Sequence, residues 1–254
     1  SDTWLYPYYL ADPRSGVIGA HYAYYDNPGI PASGRKRWGL KLGGRAGVLR
    51  MAPVGDPDVG WQVDLECGAV GQFDIENQTD SLGYDGIYGG NLSWKPAQEW
   101  MLRLRYYHNS SHLGDEYIEA TDRRRITSTR EEARAGGLWQ TGVNLALYLE
   151  VGRSFAHNTH DYLRPWSFQG GAQVLPPPTL WRGMLGWYAA LDVSSFQENA
   201  WTPNLSVQAG LRMPQAGASR AYRLGLEYYR GRAQIGELSM FRESFLAMGF
   251  WIEI

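Results

Sequence analysis

From Trp61 to Ile75 the chain sorts its side chains by parity. The odd positions are Trp61, Val63, Leu65, Cys67, Ala69, Gly71, Phe73 and Ile75; the even ones are mostly polar or charged, among them Gln62, Asp64, Glu66, Gln72 and Asp74. Successive side chains of a β-strand leave opposite faces, so this stretch makes one apolar face and one polar face. The same period of two recurs at Trp100–Tyr107, Val143–Val151 and Leu205–Arg212. No window carries a convincing helical period. The chain reads as all-β, with about twelve strands near 17–25, 37–51, 60–75, 84–95, 100–111, 124–135, 138–153, 164–174, 183–195, 203–213, 220–231 and 243–254.

Strand length separates two architectures. Strands of soluble sandwiches run to about five or six residues, whereas several of these run to ten or more. Trp61 and Phe73 lie twelve residues apart, which is about 40 Å along a strand and about 28 Å of height once tilted. That matches the apolar band, about 25 Å tall between two aromatic girdles, of an outer-membrane barrel. Glycine (31), tryptophan (11) and tyrosine (17) are abundant, as many strands with aromatic anchors require. The alternative of a soluble β-sandwich or calycin-like barrel fits the strand lengths less well.

An even strand count predicts both termini on the periplasmic side. The short connections at Pro96–Glu99 and Pro214–Gly217 are then periplasmic turns, and 26–36, 112–123, 154–163 and 232–242 are the longer outer loops. The Pro176–Pro178 run becomes a stiff periplasmic connection. One domain, 1–254, is expected, with 1–16 as a periplasmic N-terminal segment. Ser1 fits the start of a mature chain after signal cleavage. Lys+Arg 24 against Asp+Glu 26 gives a net charge of −2, so no basic excess exists to neutralise a nucleic acid. The single Cys67 excludes an internal disulfide and reads as a small apolar filler of the outer wall.

The last strand, Leu246, Met248, Phe250, Ile252 and Ile254 alternating with Ala247, Gly249, Trp251 and Glu253, resembles the C-terminal assembly signal of bacterial outer-membrane proteins. Phe250, Ile252 and Ile254 are its signal residues, although the terminal residue is Ile where Phe is more usual. The resemblance implies an integral outer-membrane location, contact with membrane lipid and lipopolysaccharide, and delivery by the barrel assembly machinery.

With the apolar faces outward, Arg103, Arg105 and Asn109 face the lumen, joined by Asp64, Glu66, Asn91, Lys95, Glu150 and Arg153, and across the closure by Arg212, Arg223 and Glu227. Mixed signs predict a lumen cross-linked by ion pairs; a selective pore would carry one sign. In the loop after the seventh strand, His157, His160 and Asp161 form a second polar cluster with at most weak metal-binding capacity.

The run Tyr106-Tyr107-His108-Asn109-Ser110-Ser111-His112-Leu113-Gly114-Asp115-Glu116 carries the sharpest chemistry. His108 and Ser110 are two apart and share the outward face. By the same arithmetic His108 stands about 19 Å above Trp100, close to the outer-leaflet interface. Serine needs a base to take its proton during attack, and neutral histidine is the usual one. The His-x-Ser triplet resembles the catalytic pair of outer-membrane phospholipase A and of the lipid A deacylases, which implies Ser110 as nucleophile and His108 as base. Asp115, Glu116 and Asp122 are nearby candidates for a third, orienting member. Asp115 and Glu116 are alternatively hard oxygen ligands for Ca²⁺, and Leu113–Glu116 also reads as an ordinary turn.

The run from Arg103 to Glu116, with Ala11–Arg14 and Trp166–Gln169, is also similar to an uncharacterised bacterial domain-of-unknown-function family, which implies no activity. The leading expectation is a non-catalytic, porin-like envelope protein, closed or narrowly conducting, or an anchor for partners. The competing one is an outer-leaflet lipid esterase or deacylase using Ser110 and His108.

Overall fold

The alternation becomes the two faces of one closed sheet. In the computed structural model, which describes residues 4–77, 80–125, 128–142, 144–157, 164–215 and 220–254, twelve strands form an antiparallel barrel. They are β1 (Ile18–Asn27), β2 (Lys36–Met51), β3 (Gly60–Asp74), β4 (Asp80–Lys95), β5 (Trp100–Leu113), β6 (Ser128–Gln140), β7 (Leu145–His157), β8 (Trp166–Val174), β9 (Gly186–Phe196), β10 (Asn204–Pro214), β11 (Ala221–Arg232) and β12 (Arg242–Glu253). Each pairs with its neighbour in sequence. β12 closes the circle on β1, from Ile18 opposite Ile252 to Asn27 opposite Ser244. Among the described residues no helix is long and apolar enough to cross a membrane.

Two strands start later than the sequence suggests, β6 at Ser128 and β7 at Leu145. The charged run at 123–125 lies in the preceding loop. Between the end of β6 at Gln140 and the start of β7 at Leu145, Asn144 adopts a left-handed φ of 60°, a conformation that asparagine tolerates better than most residues. One helix, α1 (Asp115–Thr121), follows β5, where a simple turn was expected. At seven residues it is too short to show a period, and only Tyr117 is buried. Asp115 and Glu116 in its first turn complement the positive end of the helix.

The outward wall is apolar. Leu65, Leu104, Leu149, Leu226 and Met248 are all exposed. At the end where the termini lie, Trp61 stacks on Trp94 (5.0 Å) and Trp100 on Trp139 (6.0 Å). Toward the other end stand Tyr84, Tyr88, Tyr106, Phe155 and Trp166, all exposed. Two aromatic belts thus flank an aliphatic band, and Cys67 is exposed on that wall.

The inward wall is polar and paired. Arg45 grips Asp64 through two hydrogen bonds of 3.0 and 2.9 Å. Arg105 binds Glu66 at 3.0 Å, Arg103 binds Glu150 at 2.6 Å, and Arg212 and Arg223 share Glu253 at 3.0 and 2.9 Å. Glu227 lies 3.5 Å from His21. Arg153 departs from the expected lumen position: it is exposed, with its guanidinium 5.9 Å from the Trp166 ring. Parity requires this, because Glu150 and Arg153 are three apart and face opposite ways.

The lumen is plugged, with a cavity of about 360 Å³ left toward the far end beside Tyr107, Arg130, Arg134 and Tyr229. Residues 1–16 were expected as a periplasmic N-terminal segment; residues 4–17 run through the barrel interior. The wall satisfies their backbone. Gln62 and Gln173 accept from the amides of Leu5 and Leu10, Arg45 and Arg223 donate to the carbonyls of Tyr6 and Leu10, and Glu66 accepts from Gly16. Tyr9 stacks on Tyr148 with ring centroids 3.6 Å apart, and Arg103 lies over the Tyr6 ring. Tyr8, Leu10, Ala11 and Val17 form an apolar cluster with Tyr188 and Trp251. A buried amide without a partner costs free energy, so these side-chain partners make the segment a fitted plug.

At the far end the β11–β12 connection folds inward to meet it. Arg14 donates to the carbonyl of Gln234 at 2.9 Å, and Asp85 and Ser111 on the wall accept from the amides of Gly236 and Glu237. Ile235 and Leu238 of that connection pack with Ile30, Leu82, Leu113 and Tyr117 as an apolar cap.

Candidate functional site

β5 and β6 pair in register, with His108 opposite Glu131, Tyr106 opposite Ala133 and Ser110 opposite Thr129. Parity puts Tyr106, His108 and Ser110 on the outward face, level with the upper aromatic belt. Glu131 Oε1 lies 2.7 Å from His108 Nδ1, and the Tyr106 hydroxyl donates to the other carboxylate oxygen. The His108 ring stacks on Tyr88 (centroids 4.1 Å apart, planes inclined by 18°). The imidazole is held by a carboxylate on one edge and a ring on one face. Its Nε2 and the Ser110 hydroxyl make no hydrogen bond among the described residues, so both stay available to a third molecule.

Opposite Ser110 on β4 is Gly86. A Cβ there would come within 3.2 Å of Ser110 Oγ, so the glycine leaves the hydroxyl open. With Nδ1–H donating to Glu131, Nε2 carries the lone pair that a general base needs. The arrangement has the chemistry of a nucleophile, base and orienting acid.

Sequence reasoning looked for the third member at Asp115, Glu116 and Asp122, downstream of Ser110. The structure brings in Glu131 from the next strand. Its only sequence signal was an acidic residue at outward parity on a strand, and that becomes readable once the β5–β6 register is known.

Asp115 is engaged by Arg125 at the start of α1, and Glu116 faces Asp74, Glu76 and Asp80 across a cavity of about 640 Å³. Among the described residues no three His, Cys, Asp or Glu side chains come together as a metal would require. His160 and Asp161, with the His157 side chain, lie outside the described residues. Phe250, Ile252 and Ile254 end the closing strand: Phe250 stacks with Tyr222 on the outer wall, and the Ile254 carbonyl accepts from Tyr8 of the plug at 2.7 Å.

The solved structures similar to this chain are outer-membrane barrels. The Salmonella typhi outer membrane phospholipase, a dimer with bound calcium, superimposes with a TM-score of 0.64 at 11% identity, covering 94% of this chain and 90% of that one. The Escherichia coli outer membrane phospholipase A gives a TM-score of 0.60 at 11% identity with the same coverage. The KdgM porin reaches 0.48 at 9% identity, over 94% of this chain and 99% of that one. At such identities the likeness is one of fold. No curated protein matches the chain by sequence. Residues 1–253 match the family described as "Protein of unknown function (DUF1207)", and the chain belongs to that family.

Proposed function

We propose that this protein is an integral outer-membrane barrel, with both termini periplasmic, that hydrolyses acyl esters of outer-leaflet lipids. The observation that carries this reading is the 2.7 Å contact between His108 Nδ1 and Glu131 on the outward wall, two residues from Ser110 on the same face. A buried structural histidine would face the interior. This one stands in an aromatic belt, at the height where ester groups of a lipid lie.

In this reading Ser110 Oγ attacks the ester carbonyl carbon while His108 Nε2 takes the hydroxyl proton. Glu131 holds the imidazole in the required tautomer and stabilises its cationic form. The tetrahedral adduct collapses, the C–O bond to the lipid alcohol breaks, and His108 returns the proton to that oxygen. Water then attacks the acyl-serine by the reverse proton path, releasing a fatty acid. Tyr106 fixes the carboxylate and Tyr88 the ring, so the base is set before substrate arrives. Outer-membrane phospholipase A shares this fold, and the His-x-Ser triplet resembles its catalytic pair.

The plug of residues 4–17 supports a second, compatible reading in which the barrel itself is closed and transports nothing. The deciding experiment is fatty-acid release by detergent-purified protein from phospholipid and from lipopolysaccharide, wild type against Ser110→Ala. Release by the wild type that disappears in the variant supports the hydrolase. No release from either lipid leaves a closed, non-catalytic envelope barrel.

A further inference from the structure

On the side of the barrel away from His108, separated from it by β1–β4 one way round and β6–β10 the other, three arginines crowd the outer rim. Arg232 of β11 and Arg242 of β12 are direct cross-strand partners, and Arg230 lies one alternation below, opposite Ser244. All three have outward parity; Arg230 and Arg242 are exposed and Arg232 half-buried. Like charges placed opposite one another across a ladder are destabilising, so an unneutralised Arg–Arg pair calls for a counterion.

Among the described residues none is supplied to Arg232 or Arg242, and no carboxylate lies within ion-pair distance of any of the three. Arg232 donates only to neutral groups: the carbonyls of Met240 (2.9 Å) and Asn199 (3.3 Å) and the Thr202 hydroxyl (3.3 Å). Arg242 reaches the same Thr202 oxygen at 3.2 Å, so the two guanidinium groups converge on one point. Asp26 of β1 accepts from the Ser244 hydroxyl at 2.6 Å and interacts electrostatically with Arg230, which leaves the Arg232–Arg242 pair without an ion-pair partner.

Directly below, toward the middle of the wall, Tyr228 pairs with Leu246 and Leu226 with Met248, all exposed. Fixed cations above an exposed aromatic and aliphatic strip match an amphiphile with anionic headgroup and acyl chains. Guanidinium groups bind phosphate through paired, charge-assisted hydrogen bonds.

We infer that Arg230, Arg232 and Arg242 bind a phosphate of outer-leaflet lipopolysaccharide, whose acyl chains lie along Leu226, Tyr228, Leu246 and Met248. The site is independent of the ester chemistry at Ser110. The test is a titration of folded, detergent-solubilised protein with bis-phosphorylated lipid A, dephosphorylated lipid A and inorganic phosphate, followed by native mass spectrometry. Arg230→Ala/Arg242→Ala serves as the variant, because it spares the Arg232 contacts that hold the loops.

The expected result is binding of the phosphorylated lipid at least about tenfold tighter than of the dephosphorylated form, with that preference lost in the variant. Equal affinity of the wild type for the two lipid forms would overturn the inference whatever the variant does. Inorganic phosphate binding as tightly as the phosphorylated lipid would reassign the site to a free anion and remove the lipid from it.

Discussion

Glu131 sits directly opposite His108 across the β5–β6 ladder and takes its Nδ1 at 2.7 Å. Twenty-three residues separate the two in sequence, and most of that interval is a loop carrying α1. The register of one strand pair therefore assembles the proposed catalytic constellation. Replacing Glu131 by alanine should lower kcat for lipid ester release by about 10²–10⁴-fold with KM little changed, because the imidazole loses its fixed tautomer but the lipid-binding wall is untouched. Steady-state kinetics on micellar phospholipid check this, and a Glu131→Ala enzyme running at the wild-type rate would remove Glu131 from the mechanism.

Gly86 offers a gentler probe. An added methyl group would come within 3.2 Å of Ser110 Oγ, crowding the nucleophile without changing a charge. Gly86→Ala should fold normally, as judged by heat-modifiable electrophoretic mobility, yet lose most ester release. Full activity in that variant would show that Ser110 Oγ is not the attacking atom.

Both faces of β5 punish substitution, for different reasons. Leu104→Arg places a charge on the apolar wall, at a cost of about 2–4 kcal/mol near a bilayer midplane. Glu150→Ala leaves the buried Arg103 without its carboxylate, at about 3–5 kcal/mol. Arg103→Ala is expected to cost as much, since it strands Glu150 and removes the cation facing the Tyr6 ring. Urea unfolding in lipid vesicles measures all three. Unaltered stability of Glu150→Ala would mean that the lumen is wetter than its packing indicates.

The plug makes an electrical prediction. With residues 4–17 in place the wild-type barrel should show no steady conductance in a planar bilayer. Deleting residues 4–12 removes the Tyr6, Tyr8 and Tyr9 rings and frees Arg45, Gln62 and Gln173 from their backbone partners, so single-channel steps should appear. Steady channels from the wild type would show that the segment leaves the lumen in a membrane.

The wall of this protein was legible in its residues because parity is local. Trp61, Val63 and Leu65 against Gln62, Asp64 and Glu66 assign each side chain to a face with no knowledge of what lies across the sheet, and a strand of that length with two apolar ends narrows the architecture to a barrel. The local pair His108 and Ser110 was legible for the same reason: two residues apart on a strand is a spatial statement. Arg153 was misplaced only where the alternation from Glu150 was not followed through.

What the tertiary structure decided depends on contacts between distant segments. Glu131 joins His108 because β6 pairs with β5 in the register that sets Ser110 against Thr129 and Tyr106 against Ala133. The tyrosine-rich start of the chain carries no alternation that would place it. It becomes a plug because glutamine and arginine side chains from β2, β3, β8 and β11 complete its backbone hydrogen bonds inside the closed barrel. The convergence of Arg232 and Arg242 on Thr202 likewise exists only after the β9–β10 and β11–β12 connections meet at the rim. Alternation along one strand is fixed by backbone geometry, whereas partners across the barrel are chosen by register and closure, which no short stretch of sequence contains.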